Sequence, residues 1–149
     1  MRAGSKQAQE GMSLIEVLVA LLILTVGILG AAAVQLNALK YTDSSRMTSQ
    51  ASFIAYDMMD RIRANAAADY TVTPPTSGNL SVARDQDLYD FTTNIVNFGG
   101  PTATGTITLN QRVYTITINW NDSRAANATG TTRSFVLRSR AAVDPVATP

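Results

Sequence analysis

Two residue types are missing from the chain altogether, cysteine and histidine. Without cysteine no disulfide can staple the fold, so a small domain has to hold itself by packing. Without either residue there is no thiol nucleophile, no imidazole base and no usual zinc ligand. A surplus of one charge is missing too. Twelve Lys and Arg against 11 Asp and Glu leave +1, too little for a global field that would draw nucleic acid or an acidic substrate. These absences argue against an enzyme, and no catalytic residue, metal ligand or cofactor is assigned.

What the chain does have is one long apolar run. From Leu14 to Val34, 21 residues carry Glu16 as their only charge, and about 20 apolar residues are enough to cross a bilayer as a helix. Arg2 and Lys6 precede the run, so the leader side is expected to stay cytoplasmic and the rest to lie across the membrane. An ordinary secretory signal peptide is the simplest alternative, with Ala31 to Ala33 as a small-residue cleavage site. Glu16 inside the run and the continued helical pattern after Val34 speak against it. A carboxylate in an apolar segment costs about 2.5–3.5 kcal/mol at mid-helix, so Glu16 marks a function unless it snorkels to the headgroups. Gly27 and Gly30 put small residues where apolar helices can approach closely, although such residues are common in membrane helices anyway.

No helix breaker follows until Pro74. Met47, Ala51, Ile54, Met58 and Ile62 recur at spacings of four, three, four and four, which is one apolar face of an amphipathic helix. Arg46, Ser49, Asp57 and Asp60 fall on the opposite side, and Asp57 stands four before Arg61 in the favourable order. A peptide-binding role for Met47, Met58 and Met59 is the less economical reading of this stripe. The helix is expected to end near Asn65, which makes it about 80 Å long at the standard rise. Its boundaries divide the chain into a leader at 1–11, an apolar half at 12–35, an amphipathic half at 36–66 and a head at 67–149.

In the head, residues 66–84 read as loop, and the 88, 91, 95, 98 spacing of Leu88, Phe91, Ile95 and Phe98 favours a short helix. Beyond Pro101 the period becomes two. Thr106–Leu109, a turn at Asn110-Gln111, and Arg112–Trp120 read as a hairpin, with Tyr114, Ile116, Ile118 and Trp120 on one face. Thr132–Arg140 makes a third strand with Phe135 and Leu137 inward. Three antiparallel strands with one apolar side need a lid, and the Met47 to Ile62 stripe is the available one. The fold class is therefore α+β, a long helix on a small antiparallel sheet.

The arginines at 112, 124, 133, 138 and 140 lack the interleaved aromatics of a single-strand nucleic-acid groove, so nucleic acid is not the favoured partner. Asp85, Asp87 and Asp90 offer oxygen ligands to a hard cation, but without the ligand order or glycine of an EF-hand. An enzyme anchored by an uncleaved helix is the rival of a different class.

A polar leader ending in Gly11, then Met12-Ser13-Leu14-Ile15-Glu16 and an apolar helix, resembles the class III signal of type IV pilins and pseudopilins. Ala-Tyr-Asp-Met-Met-Asp-Arg-Ile-Arg-Ala-Asn at 55–65 is similar to the PilV family of minor pilins, the type IV pilus modification proteins. The resemblance implies a pilin-like fold and a non-enzymatic subunit, cut by prepilin peptidase between Gly11 and Met12 and methylated on Met12. It implies the inner membrane first, head periplasmic, and then the pilus filament, with other minor pilins and the major pilin as partners and no small-molecule substrate. Glu16 becomes the fifth residue of the mature chain, on one helix face with the new amine, and can pair with its own amine or a neighbour's. A type II secretion pseudopilin is the alternative of the same class.

Overall fold

The computed structural model describes residues 13–123 and 132–141, which belong to two compact units, Met1–Leu39 and Lys40–Pro149. Helix α1 (Leu14–Ala64) contributes to both. Its first turn is organised by Ser13, whose Oγ accepts the Glu16 N–H at 3.3 Å while the Ser13 carbonyl accepts the Glu16 and Val17 amides at 3.0 and 3.3 Å. Ser13 thus serves as the N-cap, satisfying a backbone donor that has no partner within the helix. In the first unit every described side chain is exposed, and the helix is long and apolar enough by length and composition to cross a membrane.

The second unit holds the remainder of α1, helix α2 (Ala83–Gly99) and three strands, β1 (Thr104–Asn110), β2 (Val113–Asn121) and β3 (Thr132–Arg140). The sheet is antiparallel throughout in the order β1-β2-β3. Strand β2 alternates half-buried and buried along its length, and its inward set is Tyr114, Ile116, Ile118 and Trp120. These pack with Ala51, Ala55, Met58, Met59 and Ile62 of α1 and with Leu88, Phe91 and Ile95 of α2. A sheet with one apolar face thereby gains the cover it needs, and the expected α+β layout, a helix packed on a three-stranded antiparallel sheet, is present. Phe135 and Leu137 lie half-buried at the edge of this core.

Two local details differ from the sequence reading. The hairpin turn is Gln111-Arg112, not Asn110-Gln111, because Asn110 pairs with Val113 as the last rung of the ladder. Gln111 and Arg112 both take positive φ, 47° and 68°, as a two-residue turn matched to strand twist requires. The shift leaves the inward set unchanged and sets Gly105 opposite Ile118. A Cβ on Gly105 would collide with Ile95 and Phe91, so the missing side chain is what lets α2 lie close on β1. The second difference is α2, which starts at Ala83, inside a stretch read as loop. It stops as its sequence suggests, with Gly100 at φ 82° donating its N–H to the Val96 carbonyl at 2.9 Å.

Candidate functional site

Three parts of the chain carry candidate chemistry, beginning with the start of α1. Gly11 and Met12, the residues of the expected cut and methylation, lie outside the described residues. Glu16 is exposed in the first helical turn, where its charge favours the helix dipole by about 0.3–1 kcal/mol. Ser13-Leu14-Ile15-Glu16 is the Ser-x-x-Glu pattern of a capping box, and the Ser13 half of it is formed. The Ser-x-x-Glu spacing is the sequence signal for this local purpose. Gly27 and Gly30 have nothing within 4 Å of where a Cβ would stand. Packing among the described residues gives no reason for either glycine.

The second part is a polar hub joining α1, the following loop and α2. Arg61 Nε donates to Asp57 Oδ2 at 2.9 Å, and its Nη1 to Asp87 Oδ1 at 2.9 Å and Asp90 Oδ2 at 3.2 Å. The Tyr70 hydroxyl donates to the other Asp87 oxygen at 2.7 Å and accepts from Asn65 Nδ2 at 3.4 Å. The hydrogen bond to Asp87 raises the Arg61 pKa above its usual value against the opposing effect of burial, with Asp57 adding to the rise. Burial first, and then the bond to Asp87, push the Tyr70 phenol up to about 12. The Asp85, Asp87 and Asp90 cluster is thus committed to protein donors, Asp85 to Arg84 at 2.7 Å. Among the described residues no group of carboxylates is placed to hold a metal ion.

The third part is the head's core and the strand ends. Of the α1 stripe, Ala51, Met58 and Ile62 are buried, Met47 and Ile54 half-buried, and Met59 joins them as a buried residue. Met59 neighbours the four-three stripe on the helix, which is why the periodicity did not select it. Asp122, only 4% exposed, accepts from Ser44 Oγ at 2.6 Å and faces Arg133 Nε at 3.4 Å, tying α1 to the end of β2. That pair spans 78 positions, and no local signal points to it. Trp120 meets Phe98 edge to face at 5.5 Å, and its Nε1 has no hydrogen-bond partner among the described residues. Arg138 and Arg140 pair with Thr115 and Val113 and so share the sheet face turned away from the helices.

Residues 6–32 match the family model described as the prokaryotic N-terminal methylation motif. No curated protein and no solved structure matches the chain. The motif is the prepilin peptidase cleavage and methylation site of pilins, and it supports a pilin-like or pseudopilin-like structural subunit for this chain. The apolar N-terminal helix fits a membrane-anchored precursor that later enters a pilus.

Proposed function

We propose that the chain is a minor pilin of a type IV pilus, of the PilV kind, that primes pilus assembly at the inner membrane without catalysing any reaction. One observation carries the reading: a matched methylation motif runs directly into an apolar helix whose residues 14–39 are exposed throughout and whose only charge before Lys40 is Glu16. A surface this apolar is stable only in lipid or among like helices. Prepilin peptidase removes residues 1–11, Met12 receives the methyl group, and the helix then leaves the membrane to pack beside other minor pilins and the major pilin. Glu16 sets the register of that packing through a subunit's N-terminal amine, and Gly27 and Gly30 allow close helix approach. The head, with α1 as its lid, remains on the filament.

The N-terminal mass of the native protein tests this directly. A chain beginning at methylated Met12 is expected, and Gly11→Ala should leave the leader attached. A native start at Met1 or beyond Ala33 would overturn it. A deletion strain separates the two pilin-type systems: loss of surface pili with type II secretion intact is expected, and the reverse pattern selects a pseudopilin.

A further inference from the structure

We propose that the outer edge of β1 binds an extended segment of another protein, one that carries an aliphatic residue and, two positions away, a lysine or arginine. β1 closes the sheet on one side and β3 on the other. The two-residue turn makes Asn110 and Val113 a hydrogen-bonded pair, and such pairs alternate along an antiparallel ladder. The amides and carbonyls of Gly105, Ile107 and Leu109 therefore point away from β2. Carried across to β3, the same alternation turns the Arg140 carbonyl outward, where it accepts from Arg63 Nε at 3.5 Å. Nothing equivalent serves β1: among the described residues no hydrogen bond from outside the ladder reaches the backbone of Gly105, Ile107 or Leu109. The edges differ in their side chains too. β3 carries Arg133, Arg138 and Arg140, and charge on an edge discourages strand pairing. β1 reads Thr-Gly-Thr-Ile-Thr-Leu-Asn, with neither a charge nor a proline.

The space beside this edge says what kind of strand fits it. Between β1 and the chain that follows α1 lie two adjoining hollows that share Thr71 and Ile107. One, of about 200 Å³, is walled by Val72, Pro74, Leu88 and Phe91 against Gly105 and Ile107. The other is walled by Ala66, Ala68, Asp69 and Thr71 against Leu109 and Tyr114. A strand laid along β1 turns the residues opposite Gly105, Ile107 and Leu109 to this side, so side chains two positions apart enter successive hollows. The first hollow is apolar and takes an aliphatic group. Asp69 decides the second. Its Oδ1 accepts the Thr71 amide at 2.8 Å and the Thr71 hydroxyl at 2.6 Å, and its Oδ2 takes neither bond. Arg84 also acts on this carboxylate, but its guanidinium is bonded to Asp85 at 2.7 Å. A carboxylate with an oxygen left over, next to hydroxyl groups, suits an ammonium or guanidinium. Main-chain bonds to β1 supply affinity and the two hollows supply selectivity, as in other strand-addition complexes. A second copy of this chain is the poorer occupant. Its own β1 would bring only Gly105, Ile107 and Leu109 to the hollows, with no cation, and would set two Asp69 charges in one interface.

The proposal goes beyond the pilin reading and does not rest on it, because the measurement needs no filament. The full chain in neutral detergent is titrated with a short dye-labelled peptide of threonines carrying one valine and, two positions on, one lysine. Saturable binding is expected, with amide exchange at Ile107 and Leu109 slowed by about tenfold or more at saturation and that of Ile116 unchanged. Asp69→Asn should weaken the lysine peptide about fivefold and leave a peptide with norleucine in place of lysine unaffected, with Trp120 fluorescence unchanged as evidence that the head is folded. Should that variant unfold, the peptide with glutamate in place of lysine gives the same test on the unaltered chain and should bind about tenfold more weakly. Several results would overturn the assignment: no saturable binding, equal binding after N-methylation of the peptide backbone, equal binding of the lysine peptide by the folded variant or of the glutamate peptide by the unaltered chain, or no slowing at Ile107 and Leu109. A dimer of the chain that the peptide does not displace would overturn it in favour of a second copy.

Discussion

Arg61→Met keeps the aliphatic stem of the hub residue and deletes its charge, so it asks what one guanidinium holding three carboxylates contributes. The Asp57 contact is an exposed pair one turn away, with Asp57 56% exposed, and such pairs give about 0.3–0.5 kcal/mol. Asp90, at 35% exposure, deserves a similar discount for solvent screening, about 0.5 kcal/mol. Asp87 is different, being only 16% exposed. A charge-assisted hydrogen bond to such a group contributes about 1.5–2 kcal/mol, and among the described residues Tyr70 would remain to serve it. The expected loss is about 2–3 kcal/mol, or a fall of about 1–2 M in the urea midpoint for a small domain. Trp120, the only tryptophan and 2% exposed, reports head unfolding by fluorescence in detergent solution. A double-mutant cycle with Asp87→Asn should return a coupling of about 1–2 kcal/mol. A midpoint change below about 0.3 M, or strict additivity in the cycle, would refute the claim that this hub clamps α1 to α2.

The same unfolding assay checks three further expectations. Tyr70 holds its proton to about pH 12 when folded but ionises near pH 10 when unfolded. Its contribution is therefore complete below pH 10 and lost as pH rises to about 12, a fall of about 2–3 kcal/mol that Tyr70→Phe should abolish. Tyr114, raised by burial, loses stability in the same direction and would set the residual slope. Gln111→Gly should stabilise the hairpin by about 1 kcal/mol, since a residue with a Cβ is held there at φ 47°; an unchanged midpoint would show that the turn is not left-handed in solution. Ser44→Ala should cost about 1.5–3 kcal/mol by taking from buried Asp122 its shortest hydrogen bond and leaving, among the described residues, the 3.4 Å approach of Arg133, and a loss under about 0.5 kcal/mol would reject a structural role for the pair.

Periodicity is why much of this fold was legible. Tyr114, Ile116, Ile118 and Trp120 alternate with threonine and asparagine, and no other arrangement than a half-covered strand accounts for that. The stripe from Met47 to Ile62 carried the helix and its buried face in the same way. What escaped had weak or misleading local chemistry. Asn110 looks more like a turn residue than Gln111 or Arg112, yet pairing Asn110 with Val113 adds a rung and lets Gly105 face Phe91 and Ile95. Helix α2 starts after Val82, which supplies no side-chain cap, so no residue announced its first turn, although the spacing of Leu88, Phe91, Ile95 and Phe98 marked its body. Asp57 and Arg61 were visible as an i,i+4 pair, whereas Asp87 and Asp90 reach Arg61, and Tyr70 reaches Asp87, only through the tertiary fold.

Ser13 bears on the most consequential residue of all. A Ser-x-x-Glu start offers Glu16 a local role as a capping-box partner, of which the Ser13 Oγ half is formed, and a complete box stabilises a helix by satisfying two otherwise orphaned amides. That role alone does not explain a charge, because glutamine serves the box as well as glutamate does. In an apolar segment glutamine avoids most of the cost of an ionised group, and the dipole returns only about 0.3–1 kcal/mol to the carboxylate. A complete box would account for a hydrogen-bonding side chain at position 16 and leave its negative charge over. An amine is the counterpart that the remaining charge calls for. The contrast between Glu16→Gln and Glu16→Ala separates the two contributions: both remove the charge, and only the second removes the capping side chain. If filament entry fails equally in both, the charge governs assembly; if Glu16→Gln assembles normally and Glu16→Ala does not, the capping side chain is what assembly needs of Glu16.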